Sequence, residues 1–283
     1  MWIHEGRAAP KRVELSLERE LFTWVTSLAR PRHFWAEAHE NRVVGDEIAT
    51  ELGRLGYRVE LQGPYRNVVA LPHDMRGATT FVGAHYDSVP GCPGADDNAS
   101  GVAVLLLAAR RLAETQNRSV GFVAFNAEED GLLGSRDFVA NGLEKLRLRV
   151  RMMHVLEMCG FRDDARGSQR SPFPAGLFGF DAGTFLAMVG RGGSNAEVRT
   201  ALDTPSGLHR VGVETTALAM KVLPDLGRSD HAPFWDADLP AVLWTDTGNF
   251  RNPNYHEVTD TPDTLDYAFM SEVAHLVCRM MER

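Results

Sequence analysis

Five short stretches of this chain hold residue types that could do chemistry together. "GAHYD" carries His85 and Asp87, and "GADDNASG" carries Asp96, Asp97 and Asn98. "FNAEED" carries Glu128 and Glu129, "HVLEM" carries Glu157, and "NPNYHEV" carries Tyr255 and His256. Each follows an apolar run that reads as a strand. His85 and Asp87, two residues apart, point the same way in extended backbone. Gathered in one crevice, Asp97, Glu129 and Glu157 would repel one another, and no Lys or Arg stands at the neighbouring strand exits to offset them. Two divalent cations sharing a bridging hydroxide would balance the charge. Imidazole and carboxylate donors without thiolate suit a catalytic zinc pair that keeps open positions.

Each residue also has a plainer reading. A lone His after a strand is usually a satisfied polar group, and paired acids after a strand often lie in a solvated loop or at a helix N-terminus. Asp96, Asp97 and Asn98 could simply cap the helix that follows. Glu157 is harder to dismiss, because an uncompensated polar group inside an apolar run costs roughly 2 to 7 kcal/mol.

The elements that must position these groups follow from periodicity. Apolar residues recur at three- and four-residue intervals from Val13 to about Arg30 and from about Trp35 to Gly53, which predicts two opening amphipathic helices. Strand patterns follow at "YRVEL", "NVVAL" and "TTFVGA". A strongly apolar helix over Gly101–Glu114 precedes the strand "SVGFVAF", a helix near Ser135–Asn141 and the strand "RMMHVLEM". The stretch "RDDARGSQRSPFPAGLFGFDAG" reads as a long surface loop. Beyond it, "TFLAMVG", "TTALAMKVL" and "AVLWTD" read as strands, "NAEVRTAL" as a helix, and "LDYAFMSEVAHLVCRMM" as a closing helix. Such alternation predicts a parallel or mixed sheet covered on both faces, with ligands bound beyond the carboxyl ends of its strands. With no internal repeat and no Ser/Gly linker, residues 1–283 read as one domain, with residues 1–55 as helices packed on its core.

Composition narrows the function classes. The 283 residues are 44% hydrophobic, enough for a sizeable core. A net charge of −8, from 38 acids against 30 bases and without a basic run, argues against a nucleic-acid partner. The first 30 residues mix charges throughout, so no export signal is expected, and no stretch reaches membrane-spanning length. Cys92, Cys159 and Cys278 have no paired spacing, which predicts a reducing, cytoplasmic setting.

The ordered set "GAHYDSVPG", "PGADDNASG", "AEEDGLLGS", "LEMCGF", "SDHAPF" and "YHEVTDTPD" resembles the zinc aminopeptidases of metallopeptidase family M28, from about Asn67 to the C-terminus. That resemblance implies a three-layer α/β/α sandwich with a mixed, largely parallel central sheet. It implies His85, Asp97, Glu129, Glu157 and His256 as ligands of two zinc ions, with Asp97 shared and a cis peptide after it. It further implies Glu128 as general base, Tyr255 as oxyanion stabiliser and Asp87 as the group orienting His85. Glu157 departs from the Asp that many members carry. "SDHAPF" marks the family, but spacing assigns no chemistry to Asp230 or His231. Cys159 is read as packing.

The reading is therefore a zinc-dependent exopeptidase acting on a peptide or aminoacyl substrate. Three alternatives compete: an amidohydrolase or carboxypeptidase with an inserted lid domain, a single-zinc glutaminyl cyclase, and a non-catalytic scaffold of the same fold. Phe161, Phe173, Phe178, Phe180 and Trp235 are candidates for an apolar substrate pocket.

Overall fold

The computed structural model describes residues 1–6, 15–73, 77–115, 119–171, 173 and 179–283. Nine strands form one sheet: β1 Trp2–Gly6, β2 Arg58–Gln62, β3 Asn67–Leu71, β4 Thr79–His85, β5 Val120–Phe125, β6 Val150–Glu157, β7 Phe185–Arg191, β8 His209–Thr215 and β9 Ala241–Thr245. Their order across the sheet is β1-β8-β7-β9-β6-β4-β5-β3-β2. The four central strands β9, β6, β4 and β5 run parallel. Antiparallel pairs flank them, β5 with β3 and β9 with β7, so the sheet is mixed.

Period-two alternation divides the core between two faces. In β3, Val68 and Ala70 point to one side, while Val69 and Leu71 point to the other. The first side is covered by α1 Leu15–Leu28, α2 Ala38–Arg54, α3 Gly101–Glu114 and, at the C-terminus, a helix over Tyr267–Met281. Leu21 and Val25 of α1, Val44 and Ile48 of α2, and Val273 and Val277 of the last helix are buried there at the spacings of one helical face. The second side is covered by α4 Leu133–Asp137, continuing through Phe138 to α5 Leu143–Lys145, and by a short helix over Ala232–Asp236 that buries Phe234 and Trp235. The remaining helices, numbered in chain order, are α6 Asn195–Asp203 and α7 Ala217–Met220, so Ala232–Asp236 is α8 and Tyr267–Met281 is α9.

Three sequence expectations are corrected. The chain opens with β1, not a helix; β1 pairs antiparallel with β8, as in Ile3 opposite Val213. That pairing joins segments some two hundred positions apart and has no local sequence signature. "TTALAMKVL" is also not a strand. The strand is the preceding "HRVGVET", whose Val211 and Val213 are buried, and Thr216 then starts α7 by accepting the Ala219 N–H on its hydroxyl. The helix expected from Trp35 begins at Ala38.

The described residues of the long loop are tied down at Asp163–Gly183 by a backbone bridge. Its Gln169 donates to Thr247 Oγ1 at 2.9 Å and accepts from Arg251 Nε at 3.0 Å, which folds the loop over the carboxyl edge of the sheet. Phe178 lies outside the described residues.

Candidate metal centre and substrate cleft

Because β4, β5, β6 and β9 are parallel, their carboxyl ends open along one edge, and the reactive residues of the sequence converge there. His85 is the last residue of β4 and is 1% exposed. Its Nδ1 lies 3.3 Å from Asp87 Oδ1, and its Nε2 lies 3.2 Å from Asp97 Oδ1 and 3.4 Å from Glu157 Oε2. From the opposite side, His256 Nε2 lies 3.2 Å from Asp97 Oδ2 and 3.3 Å from Glu129 Oε2. Asp97 thus presents one oxygen to each histidine, and two donor sets share its carboxylate.

The backbone around these groups is built for close approach. The peptide between Asp97 and Asn98 is cis, as the resemblance implies. Asp260 accepts the backbone N–H of Asp96 at 2.9 Å and of Asp97 at 3.1 Å, which fixes the turn Ala95–Ser100. Asn98 donates to Leu156 O at 2.8 Å and accepts from Met158 N at 3.1 Å, joining that turn to the end of β6. A Cβ on Gly101 would stand 2.3 Å from Asn98 Oδ1 and 2.9 Å from Leu156 O, so only glycine fits where α3 starts. Ala127, Met158 and His256 all adopt left-handed φ, a rare conformation for these residue types. Each sits beside or at a candidate functional residue, where such strain is characteristically held.

Asp87 does more than orient His85. Its Oδ1 and Oδ2 accept the backbone N–H groups of Glu128 and Glu129 at 3.2 and 3.1 Å, so one buried carboxylate positions a histidine and both acids after β5. Glu128 lies with His85 and Glu157 in one donor cluster, while His85, Asp97 and Glu129 form the other.

The electrostatics reflect crowded negative charge. Burial pushes the Glu128 carboxyl well above the usual range, and Glu157 and Glu129 add to it. Burial, with Asp97 beside it, raises Glu129 to about 7. Burial also opposes charge on Asp97, but His256 and His85 outweigh it and hold that carboxylate below its ordinary value. Burial works against a charged His256, yet Asp97 and Glu129 carry it up to about 10. Buried Glu129 Oε1 has no hydrogen-bond partner, and buried Asp97 Oδ1 has only the His85 ring 3.2 Å away, an expensive arrangement unless a cation completes it. Two imidazoles and three carboxylates without thiolate fit zinc.

Residues beyond the sequence reading also shape the site. Ser229 donates its hydroxyl to Glu157 Oε2 at 2.6 Å. That contact gives the "SDHAPF" segment a function its spacing did not reveal. In the same segment, Asp230 is buried beside Ser135, its carboxyl raised to about 7 by burial, and His231 Nε2 binds Leu226 O at 2.8 Å, pinning the loop. Tyr255 stacks on His256, with ring centroids 3.8 Å apart. Cys159 is buried in the core, its Sγ 3.8 Å from Trp244 O.

A cleft opens from these acids over β7, β8 and β9. Ala187, Val189, Val213 and Leu243 form its floor, with Phe173 and Phe250 among its walls. Of the expected aromatic residues that are described, only Phe173 lines it. Trp235 instead lies in the core, donating to Ala241 O, and Phe180 packs on Phe185. Phe161 is half-buried, its N–H on Asp246.

Known proteins share this chain's pattern. The chain is 38% identical to the uncharacterized protein YfbL of Escherichia coli, over 99% of this chain and 91% of that one. It is 32% identical to the probable lipoprotein aminopeptidase LpqL of Mycobacterium tuberculosis and 30% identical to the aminopeptidase YwaD of Bacillus subtilis. These two matches cover 71% and 70% of this chain, which spans about two fifths of each relative, 42% and 39%. Among solved structures, LapB of Legionella pneumophila shares the fold with a TM-score of 0.69 at 21% identity, covering 96% of this chain and 72% of that one. A zinc aminopeptidase of Bacillus subtilis superposes with a TM-score of 0.55 at 26% identity, over 76% of this chain and 48% of that one. The model of Peptidase family M28 matches residues 67–281, the stretch that carries every candidate metal-binding and catalytic residue, and this chain belongs to that family.

Proposed function

We propose that this chain is a zinc-dependent aminopeptidase holding two zinc ions, one in the set His85, Asp97 and Glu157 and one in the set His256, Asp97 and Glu129. The observation that carries the reading is Asp97, with one carboxylate oxygen directed to each histidine. When bound, zinc supplies Lewis acidity that polarises the scissile carbonyl and acidifies water. The chain's own residues do the rest. Glu128, in a site that raises its proton affinity, takes the proton of the attacking water and passes it to the leaving amine. Tyr255 Oη stands at the cleft to donate to the developing oxyanion. The acidic wall attracts the free ammonium of a peptide N-terminus, and the floor of Ala187, Val189, Val213 and Leu243 receives an apolar first side chain.

The alternatives are not favoured. Two relatives at 30% identity or above, LpqL and YwaD, carry aminopeptidase names, whereas the glutaminyl cyclase of Bacteroides thetaiotaomicron shares the fold at 17% identity. Between Glu157 and His256 the described residues form β7, α6, β8, α7, α8, β9 and the loops that join them, and no separate lid domain stands among these described residues. A scaffold that had lost catalysis would not keep all six of His85, Asp97, Glu128, Glu129, Glu157 and His256.

The three cysteines are all free, which supports a reducing, cytoplasmic setting; fractionation of native cells tests it. The function is tested with chain purified without chelator. Two zinc per chain, with cleavage of leucine amide and no cleavage of its N-acetylated form, are expected. One zinc per chain, or turnover indifferent to N-acetylation, would remove the reading.

A further inference from the structure

Arg228 is the only cation among the described residues lining the cleft, where Asp97, Glu128, Glu129, Glu157 and Asp225 are the acids. It precedes Ser229, and its side chain is 46% exposed. Nη2 donates to Tyr255 Oη at 3.1 Å, and the guanidinium lies 6.0 Å from the centre of the Tyr255 ring. Nη1 reaches Asp225 Oδ1 at 3.3 Å and Asn249 Oδ1 at 3.4 Å. The pair with Asp225 is a single long contact between half-exposed side chains, which a better-placed carboxylate can displace.

A cation in this position does not suit the substrate's ammonium, which it repels and which the acids of the metal centre attract. Nor does it suit the apolar floor. What remains is the leaving-group side of the scissile bond. We propose that Arg228 binds a carboxylate there, that of the C-terminus of a dipeptide, and so favours dipeptides over longer or amidated chains. In a dipeptide the carboxylate follows directly on the alpha carbon that bears the scissile nitrogen, and adjacent alpha carbons are about 3.8 Å apart, so the carboxylate falls close to the reaction centre. The planar guanidinium matches a carboxylate with two parallel N–H donors. Asp225 occupies part of that fork in the absence of substrate and competes with it. The assignment rests on the aminopeptidase reading above.

The test compares kcat/KM for Leu-Gly, Leu-Gly-amide and Leu-Asp-amide on the zinc-loaded full chain. Leu-Gly is expected to exceed Leu-Gly-amide by about ten-fold, the scale of a partly exposed charge-assisted contact. Arg228→Met should bring that ratio near one, Arg228→Lys should keep part of it, and Asp225→Asn should raise it by freeing the fork. If Arg228 served only to hold Tyr255, its loss would slow all three substrates equally and leave the ratio unchanged, which overturns the proposal. A wild-type ratio near one overturns it as well. If Leu-Asp-amide matches Leu-Gly, the clamp stands but the dipeptide preference falls, because an acidic side chain serves equally. Cleavage of none of the three by zinc-loaded protein overturns the aminopeptidase reading itself, an outcome distinct from equal cleavage of all.

Discussion

Ser229 holds Glu157 by a 2.6 Å hydrogen bond from its hydroxyl to Oε2, while the same carboxylate lies 3.4 Å from His85 Nε2. A glutamate arm has one more rotatable bond than the aspartate common at this position, and Ser229 removes the freedom that bond adds. Groups that orient ligands typically account for a factor of about 10 to 100 in metal affinity. Ser229→Ala should therefore weaken zinc at the His85 set by about ten-fold, measured by competition with a chromogenic chelator, with the His256 set unaffected. Equal affinity at both sets in the variant would refute this role.

Glu128 is placed by its backbone N–H on Asp87 and accepts no metal in the proposed sets. Glu128→Gln keeps shape and volume but removes the base. Turnover should fall by about 100- to 10,000-fold, with zinc content unchanged by elemental analysis. Near-native turnover would take Glu128 out of the mechanism.

In the proposed function the cleft floor receives the first side chain of the substrate. Ala187 is a small side chain on β7 between larger neighbours, so Ala187→Phe fills space that a substrate side chain would use. Cleavage of leucine amide should drop about ten-fold relative to alanine amide, the scale on which an apolar pocket discriminates size. An unchanged ratio would place the pocket elsewhere.

Acid stability tests a group far from the chemistry. Burial, and then Arg151, lower His154 to about 3, and its Nδ1 accepts the indole N–H of Trp244 at 3.1 Å. The unfolded chain takes up that proton near pH 6.5, while the folded chain resists it down to about pH 3, so the unfolded state binds more protons across that window. Stability is complete above pH 6.5 and drains away as pH falls. His154→Gln keeps an acceptor without the titration. Between pH 7 and 4.5 the wild type should lose about 2 kcal/mol more than the variant, read from urea midpoints. Parallel losses would show that His154 does not govern the slope.

Much of this was written in local sequence. Alternation in "NVVAL" and "TTFVGA" marks strands because a pleated sheet buries every second residue on each face. Polar residues at the ends of such runs mark a site, because a parallel sheet gathers those ends along one edge. The glycines of "GADDNASG" mark a turn too tight for any larger side chain. Those signals mark His85, Asp97, Glu128, Glu129, Glu157 and His256 as candidates, and the resemblance to family M28 implies the role of each, though no spacing between them gives a distance.

What the sequence left open depended on contacts between distant segments. β1 forms only because β8 offers it an edge, and no periodicity within five residues announces such a partner. Ser229 and Arg228 lie between an apolar turn and a short helix and resemble any polar loop pair until β6 and the Tyr255 loop are packed against them. Asp260 is one acid among 38 until its carboxylate caps the N–H groups of Asp96 and Asp97. Residue type and period depend on neighbours along the chain, and so sequence could state them. Which carboxylate shares its oxygens, which hydroxyl steadies a ligand and which cation faces the substrate depend on neighbours in space, and only the closed sheet brings those together.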